Sequence, residues 1–278
     1  MSSAGFIGLG HIGKPMATHW GRGTKPLIVF DIATDAAQEL VARGARAADS
    51  VVQLARQCDI IGICVRDDAQ VEQLLYGGDG ILDNALPNTV VLIHSTVTQA
   101  SIFKWHQAGL DRSILVIDAP VTRRVERDTF CYILGGAPQI VERCRELLTA
   151  GGNIIVHAGP LGSGIAVKLC NNMLTYAAFI SMHEASRLTQ GFGVDTARLL
   201  DVGRANGMLP PHVVDFWSAR EALAGQGEAT LQAAFAPHAA NARKDLAAAL
   251  RSAQALGIQL PDTRQNLELI EDAFLRRP

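Results

Sequence analysis

Apolar positions recur in short runs through the first half of the chain, at 4–7, 27–30, 60–65, 90–93 and 114–117. Each run is β-branched and apolar at consecutive positions, the pattern of a strand covered on both faces. Between them, mixed polar and apolar stretches predict helices over 36–43, 51–57, 69–75 and 99–108. Strand and helix in alternation imply right-handed crossovers and a doubly wound, mostly parallel sheet. Two more strands, 129–134 and 153–157, flank a helix near 139–148.

The pattern changes at Gly159-Pro160-Leu161-Gly162-Ser163-Gly164. No strand signal follows. Residues 165–190 contain neither proline nor glycine and predict one helix of about 39 Å. Further helices are expected over 196–204, over 231–256 with an interruption near Pro237, and over 262–275. The expected organisation is an α/β domain over 1–160 and an all-α domain over 161–278, joined by the long helix.

Composition narrows the function classes. The net charge is −2, with a sequence pI near 6.4, which leaves no basic footprint for nucleic acid and no polybasic membrane patch. No uninterrupted apolar run reaches the roughly 18 residues of a membrane span. The N-terminus lacks a charged leader region. Five cysteines without a CxxC pair predict reduced thiols in a cytoplasmic protein.

Gly8-Leu9-Gly10-His11-Ile12-Gly13 is a GxGxxG placed after an expected strand and at the opening of an expected helix. In that context Gly8 permits the tight turn, Gly10 lets backbone approach a pyrophosphate at the helix N-terminus, and Gly13 lets helix and strand pack closely. Asp31 ends the second run, 18 residues after Gly13. A carboxylate there accepts from an adenosine ribose and repels a 2′-phosphate, and Ile32 rather than an arginine follows it; this favours NAD over NADP. The other reading of Asp31 is an N-cap for the next helix. Lys168 and Asn172 share one face of the long helix. Apolar neighbours suit a lysine base, although a lysine with its head in water fits the same pattern. Asp118-Ala119-Pro120-Val121-Thr122 and His94-Ser95-Thr96-Val97 lie at strand ends, either bordering a ligand crevice or serving as turns.

Together these segments resemble the β-hydroxyacid dehydrogenase family, which includes 3-hydroxyisobutyrate dehydrogenase, tartronate semialdehyde reductase and shorter relatives of 6-phosphogluconate dehydrogenase. The resemblance begins at Gly5–Ala17 and continues through Ser95-Thr96-Val97, Asp118-Ala119-Pro120-Val121 and the 162–172 stretch to Lys244-Asp245-Leu246. It implies a Rossmann domain followed by a helical domain. It also implies hydride transfer between NAD and a small anionic β-hydroxy acid, or its semialdehyde or keto form. In that family Lys168 corresponds to the general acid/base and Asn172 to a substrate-orienting partner. Val65, Arg66 and Thr96 correspond to residues along the nicotinamide, and Lys244 to a residue closing over cofactor and substrate. Homodimers or homotetramers with packed helical domains are expected, and no metal.

Three departures stand out. Thr122-Arg123-Arg124 replaces the Ser-Gly-Gly that holds the substrate carboxylate in the family. Thr122 retains a hydroxyl. Arg123 and Arg124 either fork a carboxylate, sulfonate or phosphate, or are solvated beside Glu126 and Asp128. His94 stands where Asp is common, and the spacing from Phe235 to Lys244 is irregular. An imine reductase and a non-catalytic nucleotide-binding relative are the alternatives; retention of Lys168 and Asn172 weighs against both.

Overall fold

Alternate residues of the apolar runs separate onto the two faces of a sheet, as the two-residue period of a strand requires. In β1 (Ser3–Ile7), Ala4 and Phe6 enter one core and Ile7 the other. β2 (Leu27–Phe30) divides in the same way, with Leu27 and Val29 on the first side and Ile28 on the second. So does β5 (Val90–Ile93), with Val90 and Leu92 opposite Val91 and Ile93. The computed structural model describes residues 3–124 and 128–276 and divides into two compact units, Met1–Lys168 and Leu169–Pro278.

The first unit contains a nine-stranded sheet. Beyond the strands named, it comprises β3 (Arg46–Ala47), β4 (Cys58–Ile63), β6 (Leu115–Asp118), β7 (Val121–Arg124), β8 (Thr129–Gly135) and β9 (Ile154–Gly159). β3-β2-β1-β4-β5-β6 are parallel in that order. The chain moves outward from β1 to β3 and then returns to place β4 on the other side of β1. Such a reversal opens a crevice at the carboxyl ends of β1 and β4. β6 and β7 run on either side of Pro120 and both pair antiparallel with β8, whose Ile133 N–H donates to the Pro120 carbonyl. β9 is parallel to β8. Residues 118–122, expected as irregular, are therefore largely strand; the single proline lacks a donor, and the β8 ladder continues past it.

α1 (Gly13–Trp20) and α7 (Pro138–Thr149) supply Met16, Trp20, Val141, Cys144 and Leu147 to the first core. α3 (Val51–Ala55), α4 (Asp68–Leu75), α5 (Ile81–Asn84) and α6 (Gln99–Leu110) cover the opposite face. Before α3, a short 3-10 turn and α2 (Gln38–Ala42) replace the single helix expected over 36–43.

α8 (Ser163–Gly191) crosses from the first unit into the second. An 18-residue stretch of it reaches a mean hydropathy of 1.2, apolar enough by composition to span a membrane, although no uninterrupted run signals it. Its Leu169, Phe179, Ile180 and Met182 are buried in protein cores. The second unit continues with α9 (Thr196–Ala205), α10 (Pro211–Gln226), α11 (Glu228–Ala255) and α12 (Pro261–Leu275). α10 was not expected, yet it buries Val213, Trp217, Arg220 and Ala224 at helical spacing. α11 runs through Pro237 without the expected break. The flanking alanines are strong helix formers, and Pro237 is exposed, so water can reach the carbonyl it leaves unpaired. The chain has nine phenylalanines, and four of them (Phe179, Phe216, Phe235 and Phe274) meet in this core, with Phe179 stacked on Phe216 at 3.8 Å.

His94 closes the first core at the end of β5. Its ring stacks on Phe6, meets the edge of Trp20, and its Nδ1 lies 2.7 Å from the Ala119 carbonyl. Burial pushes the imidazole down to about 4, against the pull of that carbonyl. The native ring is therefore neutral where an unfolded histidine, near 6.5, takes up a proton. Stability falls as pH drops from about 6.5 toward 4. His94→Asn keeps a donor for Ala119 and cannot titrate. In urea denaturation at pH 7 and pH 5, the wild type should lose about 2 kcal/mol more than this variant between the two conditions; equal losses would contradict the account.

Candidate functional site

Steric constraints at the end of β1 sort the three motif glycines. Gly8 adopts a φ of +92°, and a Cβ on it would lie 2.3 Å from the Cys64 carbonyl. A Cβ on Gly13 would lie 1.9 Å from the Gly8 carbonyl. Gly10 differs: a Cβ there meets nothing within 4 Å. The turn therefore does not itself require glycine at position 10. A bare backbone facing open space before a helix N-terminus is the cradle that a pyrophosphate fills. His11 beside it is exposed, and Ile12 packs against the first core.

Asp31 follows β2 and reaches back to this loop. The Leu9 N–H donates to one carboxylate oxygen at 2.6 Å, and the Ala33 N–H to the other at 2.8 Å. It is not a helix cap; the next helical turn starts after Ala33 without side-chain help. Each oxygen keeps a lone pair for a further donor. Ile32 is 90% exposed beside it, an apolar surface where a 2′-phosphate would need a cation. These features fit NAD.

The loops after β4 and β5 are stitched together. Val65 N–H donates to the Ser95 hydroxyl at 2.9 Å, and that hydroxyl donates to the Val65 carbonyl at 2.7 Å. Asp68 accepts from both the N–H and the hydroxyl of Thr98, each at 3.2 Å. The Arg66 N–H donates to Gln70, and Thr96 is half-buried. Sequence reasoning placed Val65, Arg66 and Thr96 here but missed Ser95 as the fastener, since a serine after a strand carries no local signal of a partner 30 residues away.

Asp118 is fully buried at the end of β6. Its two oxygens accept from the Gly162 and Ile165 N–H groups, each at 2.8 Å. Burial pushes its carboxyl above the usual range, and those amides pull it back. Lys168, half-buried, stands one helical turn beyond Ile165.

In the helical unit Asn172 is buried, and its side-chain amide donates to Asp245 at 2.8 Å. The Tyr176 hydroxyl donates to the same carboxylate oxygen at 3.0 Å, and Lys244 Nζ lies 3.2 Å from the other. Asn172 and Lys244 are thus brought to one carboxylate. Sequence reasoning missed both Tyr176 and the role of Asp245; Tyr176 sits on the next turn of the Asn172 face, a signal that helical spacing carries, whereas Asp245 lies 73 residues away.

On β7, Arg123 donates to Asp128 at 2.9 Å across the hairpin, the paired rather than the ligand-forking arrangement. Thr122 alternates to the opposite face of the strand. The Arg124 side chain and Glu126 lie outside the described residues.

Residues 3–159 match the model of the NAD binding domain of 6-phosphogluconate dehydrogenase, and 162–276 that of the NAD-binding domain of NADP-dependent 3-hydroxyisobutyrate dehydrogenase. The chain belongs to the β-hydroxyacid dehydrogenase family. It is 36% identical over 207 residues to the NAD-dependent L-serine dehydrogenase of Pseudomonas aeruginosa, covering 73% of this chain and 70% of that protein. It is 32% identical over 205 residues to the 3-hydroxyisobutyrate dehydrogenase of the same organism, covering 73% and 69%. In fold it matches a 3-hydroxyisobutyrate dehydrogenase from Salmonella typhimurium, with a TM-score of 0.83 at 22% identity over 98% of this chain and 94% of that one. An imine reductase from Bacillus cereus shares the fold more loosely, with a TM-score of 0.64 at 18% identity over 98% and 92%. The family member described here is an NAD-dependent oxidoreductase of hydroxy acids.

The open cradle separates cofactor binding from folding. Gly10→Ala should melt within a few degrees of the wild type yet bind NADH at least tenfold more weakly by fluorescence titration. Gly13→Ala should fail to fold stably. Unchanged NADH affinity in Gly10→Ala would contradict the placement of the pyrophosphate.

Proposed function

We propose that the chain interconverts a small, anionic β-hydroxy acid and its semialdehyde or keto form, with Lys168 as the general acid/base. The observation that carries this reading is the placement of Lys168 one turn from the end of α8 that is pinned to the carboxyl edge of the sheet. That edge also carries the glycine cradle and the Val65–Ser95 stitch. NAD, when bound, supplies a hydride acceptor at C4 of its nicotinamide.

In the oxidative direction the neutral Lys168 amine takes the proton of the substrate hydroxyl as the carbinol hydrogen leaves as hydride. In the reductive direction the Lys168 ammonium returns that proton to the carbonyl oxygen. Asn172 orients the hydroxyl. Asp245 occupies one of its amide donors, so the Asn172 carbonyl oxygen and second N–H remain for substrate. Lys244 and the Thr122 hydroxyl are assigned to the substrate carboxylate. The loop Gly8 to Gly13, with Leu9, His11 and Ile12, and Asp31, Val65, Arg66, Thr96 and Lys244 are assigned to NAD. Arg123 is engaged by Asp128, which weighs against a guanidinium fork for the substrate anion. The named activities of the relatives, on L-serine and 3-hydroxyisobutyrate, support a compact substrate of this class.

We assign the protein to the cytoplasm as a homodimer or homotetramer. None of its five cysteines is joined in a disulfide. The surface of α8 offers a seam for a second copy: Leu174 and Leu188 lie two seven-residue repeats apart on one face, and Phe192 follows just past the helix end. Leu174 and Phe192 are each 75% exposed and Leu188 is 63% exposed. A seven-residue apolar repeat is the pattern by which one helix packs along another.

Two measurements test these readings. Lys168→Ala should bind NADH normally and lose at least ~10²-fold in kcat across serine, 3-hydroxyisobutyrate and glycerate assayed at 340 nm; wild-type turnover in this variant would refute the assignment. The double variant Leu174→Glu/Leu188→Glu should elute at a lower mass than the wild type in light scattering, and an unchanged mass would remove the seam.

A further inference from the structure

The start of α8 has no acidic or amide side chain of its own to satisfy its first N–H groups. Its cap comes from the sheet instead: Asp118, 44 and 47 residues back along the chain, accepts from Gly162 and Ile165. Two glycines make room for it. A Cβ on Gly135 would lie 2.5 Å from one carboxylate oxygen. One on Gly164 would lie 2.9 Å from the other and 2.3 Å from the Ile133 carbonyl. The carboxylate thus joins β6, β8 and α8 at a single point, with no exposed surface. A buried anion held by amides at a helix N-terminus resists displacement, because any shift strands a charge away from its donors.

We infer that Asp118 is the positioning residue for Lys168: through the Gly162 and Ile165 amides it fixes the rotation and height of the turn that carries the lysine. This rests on the acid/base reading of Lys168 given above. Asn at this position keeps one acceptor and turns an NH2 group toward the second amide, so one bond is lost and donor faces donor. Glu keeps the charge.

Asp118→Asn, Asp118→Glu and Lys168→Ala, compared as full-length protein, separate the possibilities. In Asp118→Asn, kcat should fall at least tenfold while KM for NAD stays within twofold. The Gly162 and Ile165 amides should exchange with solvent at least tenfold faster. Asp118→Glu should recover part of kcat. Wild-type kcat in a folded Asp118→Asn would overturn the inference, whatever the exchange rates. Loss of fold or of NAD binding in both Asp118 variants would also overturn it, since the carboxylate would then support the whole nucleotide-binding unit. Full activity in Lys168→Ala would remove the acid/base reading alone, whereas normal amide exchange in Asp118→Asn would overturn the positioning of that turn by Asp118.

Discussion

A carboxylate taken fully out of water must find donors for its oxygens, and Asp118 finds them in the first amides of the longest helix. The contact converts two separate pieces of geometry into one. The parallel sheet ends at the residue where α8 is held, so the edge that carries the glycine cradle also sets the origin of the helix. A charge-assisted bond to backbone N–H contributes about 1.5–3 kcal/mol, and two of them converge here. Without them the Gly162 and Ile165 amides would lose their acceptors at the start of α8.

The same economy of side chains shapes the cofactor cradle. Gly8 and Gly13 are glycines because carbonyl groups of the protein occupy the space a Cβ needs, whereas Gly10 is glycine with nothing of the protein in the way. That contrast separates a folding requirement from a ligand requirement within one six-residue motif. Asp31 serves both: it fastens the Leu9 amide and leaves lone pairs for a donor from outside.

Much of this was legible in the residues. Consecutive apolar runs identified the buried strands, the glycine motif lies between β1 and α1 as its context predicted, and the break at Gly159–Gly164 marked the change to helix. Local patterns failed where the determining partner is distant. Asp245 holds Asn172 from a helix 73 residues away, and Ser95 holds Val65 across a strand gap; neither leaves a periodic trace. The 118–122 segment looked irregular because proline and threonine favour turns, but pairing with β8 overrides that preference. Pro237 likewise fails to break α11, because its exposed position and the surrounding alanines make the lost hydrogen bond tolerable. The exchange of Ser-Gly-Gly for Thr122-Arg123-Arg124 gained meaning only with Asp128 in view. The Arg123 guanidinium is turned to a neighbour in the hairpin, so the bulk that looked like an obstacle at the substrate is in part structural.

These strands converge on a hydroxyacid dehydrogenase for which Lys168 is proposed as the base and Asp118 as the residue that positions it. The most direct test is a crystal structure of the complex with NADH and an unreactive analogue of a small β-hydroxy acid. Lys168 Nζ should lie within about 3 Å of the analogue's hydroxyl oxygen, hydrogen-bonding distance for proton transfer, with Asp118 still joined to the Gly162 and Ile165 amides. A hydroxyl contacted by some other group, with Lys168 turned away from it, would contradict the account.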